Sequence, residues 1–211
     1  MKLHFRFNIA NEPIYNLFNS FLTHFFKEIE FHFNNTNRND KYHLIEYGEQ
    51  GLVNYFINGI VRLDEKHRFL IINEFELADK NDNYSGRVDI IIEDTQQNDI
   101  YFIEAKREYS SENVPLTDKW SEEKTKKDYE EILKQARKYL NADWHNLASF
   151  NNKYIVALVF DSTKFQNTEH IKLWYYENLL KNEFYSFKTF KGKEEVLGLA
   201  CYGLIQEIPF I

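Results

Sequence analysis

The stretch of sequence that decides the fold is residues 86–106, GRVDIIIEDTQQNDIYFIEAK. It predicts two short strands, residues 87–93 and 100–105, joined by a polar turn. Both segments are rich in Ile, Val, Phe and Tyr, which favour pleated and half-buried surfaces. Each segment also carries charge at positions where a core strand is expected to be apolar.

These charges have a predicted arrangement, because side chains alternate between the two faces of a strand. Two sets of residues are each expected to share a face: Arg87, Asp89 and Ile91 on the first strand, and Phe102, Glu104 and Lys106 on the second. Burying Asp89 and Glu104 without a partner would cost several kcal/mol or force them to take up protons. A divalent cation held between the two carboxylates, with Lys106 beside it, removes that cost, so the stretch predicts a metal site.

The composition predicts one packed domain over residues 1–211, because 17% of the residues are aromatic and only three are Pro. The chain has 26 Lys and Arg and 33 Asp and Glu, which gives 26 − 33 = −7 at neutral pH. That charge argues against a protein that coats nucleic acid generally, whose surface is usually basic. It leaves room for an enzyme with a local basic groove.

The compartment is predicted to be the cytoplasm. Cys201 is the only cysteine, so the sequence offers no internal disulfide. Residues 1–9 contain no uninterrupted apolar run of the kind found in a secretion signal. The apolar residues 196–205 are too few to span a bilayer, so no membrane association is expected.

Apolar periodicity predicts the remaining elements: helices at residues 13–33, 42–63, about 117–140 and 166–181, and strands at 69–77, 153–160 and 184–190. The Phe-rich first helix is expected to face the core, with a dimer contact as the alternative. Gly48 and Gly51 weaken the start of the second helix, which is therefore predicted to begin near Glu49. Residues 194–206 have no clear assignment.

Three motifs together resemble those of the PD-(D/E)xK nuclease superfamily. GRVD at residues 86–89 matches the G-R-x-D form of the first half of its site, and EAK at residues 104–106 matches the E-x-K of the second. QARKY at residues 135–139 is similar to the Q-x-x-x-Y helix motif of the RecB-like branch. The order α, β, β, β, α, β over residues 42–160 also resembles the core of that family.

The resemblance implies an α/β fold with a restriction-endonuclease-like core, in which helices flank a small mixed β-sheet. It also implies a metal-dependent nuclease that hydrolyses phosphodiester bonds, with DNA as the expected substrate and Mg²⁺ or Mn²⁺ as the cofactor. The metal ligands implied are Asp89, Glu104, the Ala105 carbonyl and a helical glutamate. Either Glu49 or Glu46 is the expected source of that glutamate.

The remaining site residues have implied roles around the metal. Lys106 is expected to orient the attacking water, lower its pKa, or offset charge in the transition state. Gln135 and Tyr139 resemble the residues that position substrate or the lysine, and Arg87 is a further candidate for positioning substrate. Together with Asp89 and Glu104, these residues form the predicted catalytic set.

Each residue also has a structural interpretation. Arg87 and Asp89 could form an ordinary ion pair, as could Glu104 and Lys106 at a sheet edge. Tyr139 could be a core aromatic residue, and Gln135 could bond to a loop backbone. The basic residues between 124 and 138 alternate with acids, which is typical of a solvated helix face.

Two rival functions remain alongside the nuclease. The first is a non-catalytic module of the same fold that binds a partner protein, which the charge of −7 favours. The second is a nuclease effector or a component of a defence system, whose acidic surface would bind a partner that supplies the DNA affinity. A homodimer is also possible under each of these hypotheses.

Overall fold

The structure, a computed structural model, describes residues 12–35, 48–64, 66–78, 84–110, 149–165, 184–191 and 196–208, and the single positions 127, 130, 131 and 134. Within these residues the chain forms two helices and six strands. The helices are α1 (Glu12–Asn35) and α2 (Glu49–Leu63). The strands are β1 (Phe69–Ala78), β2 (Tyr84–Asp94), β3 (Asp99–Ser110), β4 (Asn152–Phe165), β5 (Phe184–Lys191) and β6 (Val196–Glu207).

The six strands form one mixed sheet in the order β1-β2-β3-β4-β6-β5. Strands β1, β2 and β3 form an antiparallel meander, and β4 pairs with β3 in parallel. Strands β6 and β5 continue the sheet in antiparallel pairing beyond β4. The chain therefore has the mixed α/β class that the sequence predicted.

Both helices pack on one face of this sheet, which we call the helical face. Phe21 and Phe25 of α1 are fully buried there, as are Phe56 of α2 and Phe160 of β4. The rings of Phe21 and Phe56 meet edge to face, with centroids 6.2 Å apart. The prediction that the first helix faces the core is confirmed, because its Phe stripe supplies the centre of the main core.

The opposite face of the sheet carries a smaller apolar cluster, and we call it the second face. Its buried members are Val88, Ile91, Ile100, Phe102 and Ile155. The central strands of the sheet are therefore covered by apolar residues on both faces. This explains why the sequence of β4 is a nearly continuous apolar run.

The two helices meet at Gly59 of α2. A Cβ atom built on this residue would lie 2.6 Å from the backbone nitrogen of Phe25 and 2.9 Å from the carbonyl carbon of His24. Both atoms belong to the backbone of α1, so they cannot move aside as a flexible side chain would. Glycine at position 59 therefore sets how closely the helices approach.

The hairpin between β2 and β3 is held by a buried ion pair. Asp94 is fully buried, and its Oδ1 accepts hydrogen bonds from Nε of Arg68 at 2.8 Å and from the backbone N–H of Gln96 at 3.1 Å. Nη2 of Arg68 donates to the other carboxylate oxygen. The same carboxylate thus holds the turn at residues 95–98 and the start of β1.

Several predicted boundaries need correction. Strand β4 continues five residues past the predicted end at residue 160, and β6 lies in the segment that had no assignment. The predicted helix at residues 166–181 lies outside the described residues. Of the predicted helix at 117–140, four positions are described, and all are helical and exposed: Lys127, Glu130, Glu131 and Lys134.

Replacing Gly59 with alanine is expected to lower the free energy of unfolding by about 1–3 kcal/mol, because the added methyl group forces the helices apart. Alanine favours helix by about 1 kcal/mol over glycine, so any net loss must come from the helix crossing. Chemical denaturation of both proteins measures the difference.

The matched control is Gly48→Ser at the N-cap of α2, where a new Cβ meets nothing within 4 Å. Serine is a good N-cap residue, so this variant is expected to be as stable as the wild type or more stable. A Gly59→Ala protein that is as stable as wild type would show that the helices do not approach as described.

Candidate active site

The candidate site lies where β2 separates from β3. The last paired residues of the two strands are Ile90 and Ile103, although both strands continue beyond them. From Glu104 onward β3 is paired with β4 on one side. Its other edge no longer has β2 as a hydrogen-bonding partner.

Acidic side chains take the place of the missing strand along this open edge. Oδ2 of Asp89 accepts a hydrogen bond from the backbone N–H of Ala105 at 2.8 Å. Oε2 of Glu49 accepts one from the backbone N–H of Arg107, also at 2.8 Å. Alternate residues of a strand point their backbone groups to the same side, so the two carboxylates lie along one edge of β3.

Glu49 is the first residue of α2, as its sequence context predicted. A residue in this position reaches β3 because α2 lies against the helical face of the sheet. Glu46, the alternative helical glutamate, lies outside the described residues. Of the two candidates, Glu49 is the one that the structure places beside the E-x-K strand.

Regular alternation along β2 was predicted, and the structure interrupts it between Val88 and Ile90. Val88 lies in the cluster of the second face together with Ile91, whereas Ile90 lies in the main core. Residues 88 and 90 therefore point to opposite faces, although an even spacing should place them on the same face. The alternation predicted from Arg87 through Asp89 to Ile91 is therefore interrupted between Val88 and Ile90.

The break lies opposite an irregularity in the neighbouring strand. Glu74 of β1, the residue that would pair with Asp89, has a positive φ of 51°. The paired residues on either side of it are Asn73 with Ile90 and Phe75 with Val88. A left-handed residue inside a strand disturbs the ladder locally, and here it does so at the position level with Asp89.

The Gly86 of the G-R-x-D motif lies at a second irregularity in the same ladder. Its φ is 146°, a conformation that favours glycine, and the register between β1 and β2 shifts at the neighbouring residue pair. The glycine of the motif therefore allows β2 to bend three residues before Asp89.

Asp89 and Glu104 are in direct contact. Glu104 is 4% exposed, and its side chain is hydrogen bonded to the carboxylate of Asp89. Burial raises the pKa of Asp89 above its usual value, and Glu74 raises it slightly further. The hydrogen bonds from Ala105 and Glu104 and the charge of Arg87 oppose that rise. The carboxyl of Asp89 therefore lies at a partly dry position beside a second acid, and its charged form is disfavoured there.

Lys106 lies on the same face of β3 as Glu104, two residues further along the strand. Phe102, which has the same parity, belongs to the cluster of the second face, and the pairing of β3 with β4 is continuous from residue 99 to residue 110. The predicted shared face of Phe102, Glu104 and Lys106 is therefore present. Lys106 itself is half-buried.

Arg87 forms an ion pair with Glu74. Its Nη2 lies 3.7 Å from Oε1 of Glu74, and half of the Arg87 side chain is exposed. An exposed ion pair of this length contributes little to stability. The exposed guanidinium remains close enough to lower the pKa of Asp89.

The two remaining predicted site residues, Gln135 and Tyr139, lie outside the described residues. Four nearby positions, at 127, 130, 131 and 134, are helical and exposed. Their spacing of three, four and seven residues places them on one side of a helix. That agrees with the solvated face expected for Lys127 and Lys134.

The oxygen atoms at this site are of the kind that bind Mg²⁺ or Mn²⁺. Asp89 and Glu104 supply carboxylates, and the Ala105 carbonyl points to the same side of β3 as the Ala105 N–H that Asp89 accepts. No cluster of three or more His, Cys, Asp or Glu side chains suited to a metal occurs in the described part of the chain. Asp89 and Glu104 offer two carboxylates, and Mg²⁺ commonly binds through one or two carboxylates together with water and phosphate.

Two features of the structure were not anticipated from the sequence. One is Asp161 of β4, which is fully buried. The other is a cavity of about 780 Å³ beneath the start of β3, lined in part by Arg68, Asp99 and Tyr154. Polar groups in this cavity bond to each other, since Asp99 accepts from Nδ2 of Asn152 at 2.8 Å. The cavity lies at the end of β3 away from Glu104.

No family model matches the chain, and no match was found among curated proteins or solved structures. In the described part of the chain, neither helix is long and apolar enough to cross a membrane. The case for any function therefore depends on the geometry of the site itself.

Replacing Asp89 with asparagine is expected to raise the Tm of the metal-free protein at neutral pH. Asparagine can still accept from Ala105 and can donate to Glu104, but it carries no charge to bury. The Tm should rise by about 2–4 °C for each kcal/mol of unfavourable burial that is removed. Differential scanning calorimetry in EDTA measures this change.

The difference between the two proteins should depend on pH. Because the pKa of Asp89 is raised by folding, its contribution to stability is greatest below about pH 4 and is lost as the pH rises through the folded-state pKa. The advantage of Asp89→Asn should therefore grow with pH across that window. Glu76→Gln, an exposed acid on β1, serves as the control and should show no such trend. An Asp89→Asn protein that is less stable than wild type at neutral pH would contradict this account.

Proposed function

We propose that this protein is a Mg²⁺- or Mn²⁺-dependent nuclease that hydrolyses phosphodiester bonds in DNA. The observation that carries the proposal is the contact between Asp89 and Glu104 at the open edge of β3, with Lys106 on the face that carries Glu104. Two acids and a lysine in this arrangement are a costly way to build an ordinary sheet edge. They suit a site that binds a cation and a phosphate.

The strand topology supports a restriction-endonuclease-like core. A helix precedes three antiparallel strands, and the strand that follows is parallel to the third. A parallel connection needs a long crossover, which usually contains a helix. The helical positions between β3 and β4 agree with such a crossover. This is the order of elements that the motif resemblance implied.

A divalent cation at Asp89, Glu104 and the Ala105 carbonyl would neutralise charge on a phosphate oxygen and make a water more acidic. The protein contributes the geometry for this. The hydrogen bond from the Ala105 N–H orients Asp89, and the buried position of Glu104 keeps the second carboxylate beside it. A site of this kind is formed before the substrate arrives.

Lys106 would act on the reacting groups rather than on the cation. Its ammonium group, on the face of Glu104, can orient the attacking water and offset negative charge that develops on the phosphate. Glu49, fixed by the Arg107 N–H, would occupy an outer position next to the metal. The exposed Arg87 would contact the substrate backbone, and Gln135 and Tyr139 keep their predicted role in positioning substrate.

A second candidate is a non-catalytic or partner-dependent binding module with the same fold. Two observations favour it: the net charge of −7, and the hydrogen bonds by which Asp89 and Glu49 complete the edge of β3. In this alternative the acids have a structural role, and a partner protein in a defence or effector system supplies any affinity for DNA.

Metal binding separates the two candidates without any need for activity. Mg²⁺ or Mn²⁺ is expected to raise the Tm of the wild type, because a ligand that binds only the folded state stabilises it by about 2.7 kcal/mol at a hundredfold excess over Kd. Asp89→Asn should remove this rise, whereas Lys106→Ala should retain most of it. Equal shifts in wild type and Asp89→Asn would place the cation elsewhere.

Cleavage tests the nuclease directly. Purified protein is incubated with single- and double-stranded DNA and RNA in Mg²⁺, Mn²⁺ or EDTA, and the products are separated on denaturing gels. We expect DNA cleavage in the presence of either metal, none in EDTA, and a loss of about a hundredfold or more in Lys106→Ala.

The matched control is Lys153→Ala, which removes a half-buried lysine from the start of β4, away from the site. Its activity should equal that of the wild type. If the wild type binds metal at Asp89 but cleaves none of these substrates, the binding-module alternative becomes the better account.

A further inference from the structure

The cavity beneath the start of β3 is a second candidate site. It has a volume of about 780 Å³ and lies on the helical face, between α1 and the starts of β3 and β4. Pockets for small organic molecules have volumes of about 300–1,000 Å³. Asp99 of the cavity wall lies five residues before Glu104 on β3, which corresponds to roughly 17 Å along the strand. The cavity is therefore separate from the candidate active site.

Two stacked tyrosine rings line the cavity on the side of the sheet. Tyr101 of β3 is level with Tyr154 of β4, and both side chains belong to the main core. The rings are nearly parallel, with an interplanar angle of 11° and centroids 5.1 Å apart. The face of an aromatic ring is negative and attracts organic cations within about 6 Å of its centroid. This part of the wall therefore suits a cationic ligand.

A nearly buried carboxylate lies beside these rings. Asp99 is 7% exposed, and its Oδ1 accepts a hydrogen bond from Nδ2 of Asn152 at 2.8 Å. Burial raises the pKa of Asp99 above its usual value, and hydrogen bonds from the neutral groups of Asn152 and Tyr101 oppose that rise. Within the described part of the chain, the ion pairs include none to Asp99. A cation in the cavity would offset the cost of burying this charge.

The charges around the rings favour a cation over an anion. Arg68 lines the cavity, but its guanidinium is bound to the fully buried Asp94, with Nε donating to Oδ1 at 2.8 Å. Burial raises the pKa of the Tyr101 hydroxyl most, and the charges of Asp99 and Asp94 raise it further. Arg68 lowers the same pKa by less than either acid raises it. Lys66 also lines the cavity, but it is exposed, so water and salt screen its charge.

The side of the cavity formed by the helices is largely apolar. Ile14 and Leu17, three residues apart on α1, line it together with Leu63 at the end of α2. The hydroxyl of Ser20, which is also part of this wall, donates to the Asn16 carbonyl at 3.0 Å within the helix. A ligand that matches both sides of the cavity has a positive charge at one end and an apolar body.

We propose that the cavity binds a small organic ammonium ion whose charged group lies between Asp99 and the rings of Tyr101 and Tyr154. Its apolar body lies along Ile14 and Leu17. The ammonium group donates hydrogen bonds to the Asp99 carboxylate, supplies the positive charge that pairs with it, and is attracted by the ring faces. This site is independent of the proposed nuclease function, so it can be tested without any measurement of cleavage.

Three matched compounds test the class of ligand. Phenethylammonium, 2-phenylethanol and phenylacetate share an apolar body and differ in the charge at one end. Isothermal titration calorimetry on the full chain should show that phenethylammonium binds about tenfold or more tightly than 2-phenylethanol, and that phenylacetate binds most weakly. Equal affinities for the three compounds, tighter binding of phenylacetate, or no detectable binding of phenethylammonium would overturn the proposal.

Variants of the wall test where the ammonium group binds. Asp99→Asn keeps an acceptor for Asn152 and removes the charge, so the affinity for phenethylammonium should fall about tenfold while that for 2-phenylethanol changes less than about twofold. Tyr154→Leu removes one ring and should also weaken the binding of phenethylammonium more than that of the alcohol. Tyr154→Phe keeps the ring and should bind phenethylammonium as the wild type does.

The matched control is Lys66→Ala, which removes an exposed cation from the same lining. Its affinity for phenethylammonium should equal or exceed that of the wild type, and a weaker affinity would contradict the proposed charge preference. The Tm of each variant is measured first, to establish that it is folded. If folded Asp99→Asn and Tyr154→Leu proteins both bind phenethylammonium as tightly as the wild type, the ammonium group binds elsewhere and the proposal is wrong.

Discussion

The candidate site depends on one constraint, which is that the backbone N–H groups of β3 must remain hydrogen bonded after β2 turns away. Unpaired backbone donors are costly when water is excluded. The carboxylates of Asp89 and Glu49 satisfy the donors of Ala105 and Arg107. The need to hydrogen bond these backbone N–H groups therefore places two carboxylates along one edge of β3, next to the buried Glu104. The same atoms that complete the sheet then provide oxygen ligands of the type that a divalent cation needs.

The position of Glu49 also depends on packing far from the site. Helix α2 can present its first residue to β3 because it lies close against α1 and the sheet. That close approach depends on Gly59 and on the Phe residues that fill the space between the layers. A change at the helix crossing would move the start of α2 relative to the strand. The packing of the main core therefore helps to set the position of Glu49 at the candidate site.

Local patterns predicted much of this arrangement, because strand periodicity and the glycines on either side of Glu49, Gly48 and Gly51, are visible in short windows of sequence. Such windows predicted strands β2 and β3 and the start of α2. They also predicted that Asp89 and Glu104 lie close together. The irregularity of the ladder at Asp89 could not be predicted, because it involves Glu74 in the neighbouring strand. Asp161 was missed for a related reason. An acid after an apolar run reads as the end of a strand, and only the register of β4 with β3 shows that the strand continues.

The topology also has a consequence for the order of folding. Asp89 and Glu104 belong to one hairpin whose turn is residues 95–98, whereas β3 and β4 are separated by the connection at residues 111–151. Hairpins close in about 1–10 μs, and contacts between residues distant in sequence form later. The two acids therefore meet early, while water still screens their charges. Strand β4 is expected to pair with β3 afterwards, so the hairpin that carries both acids is the first part of the site to form.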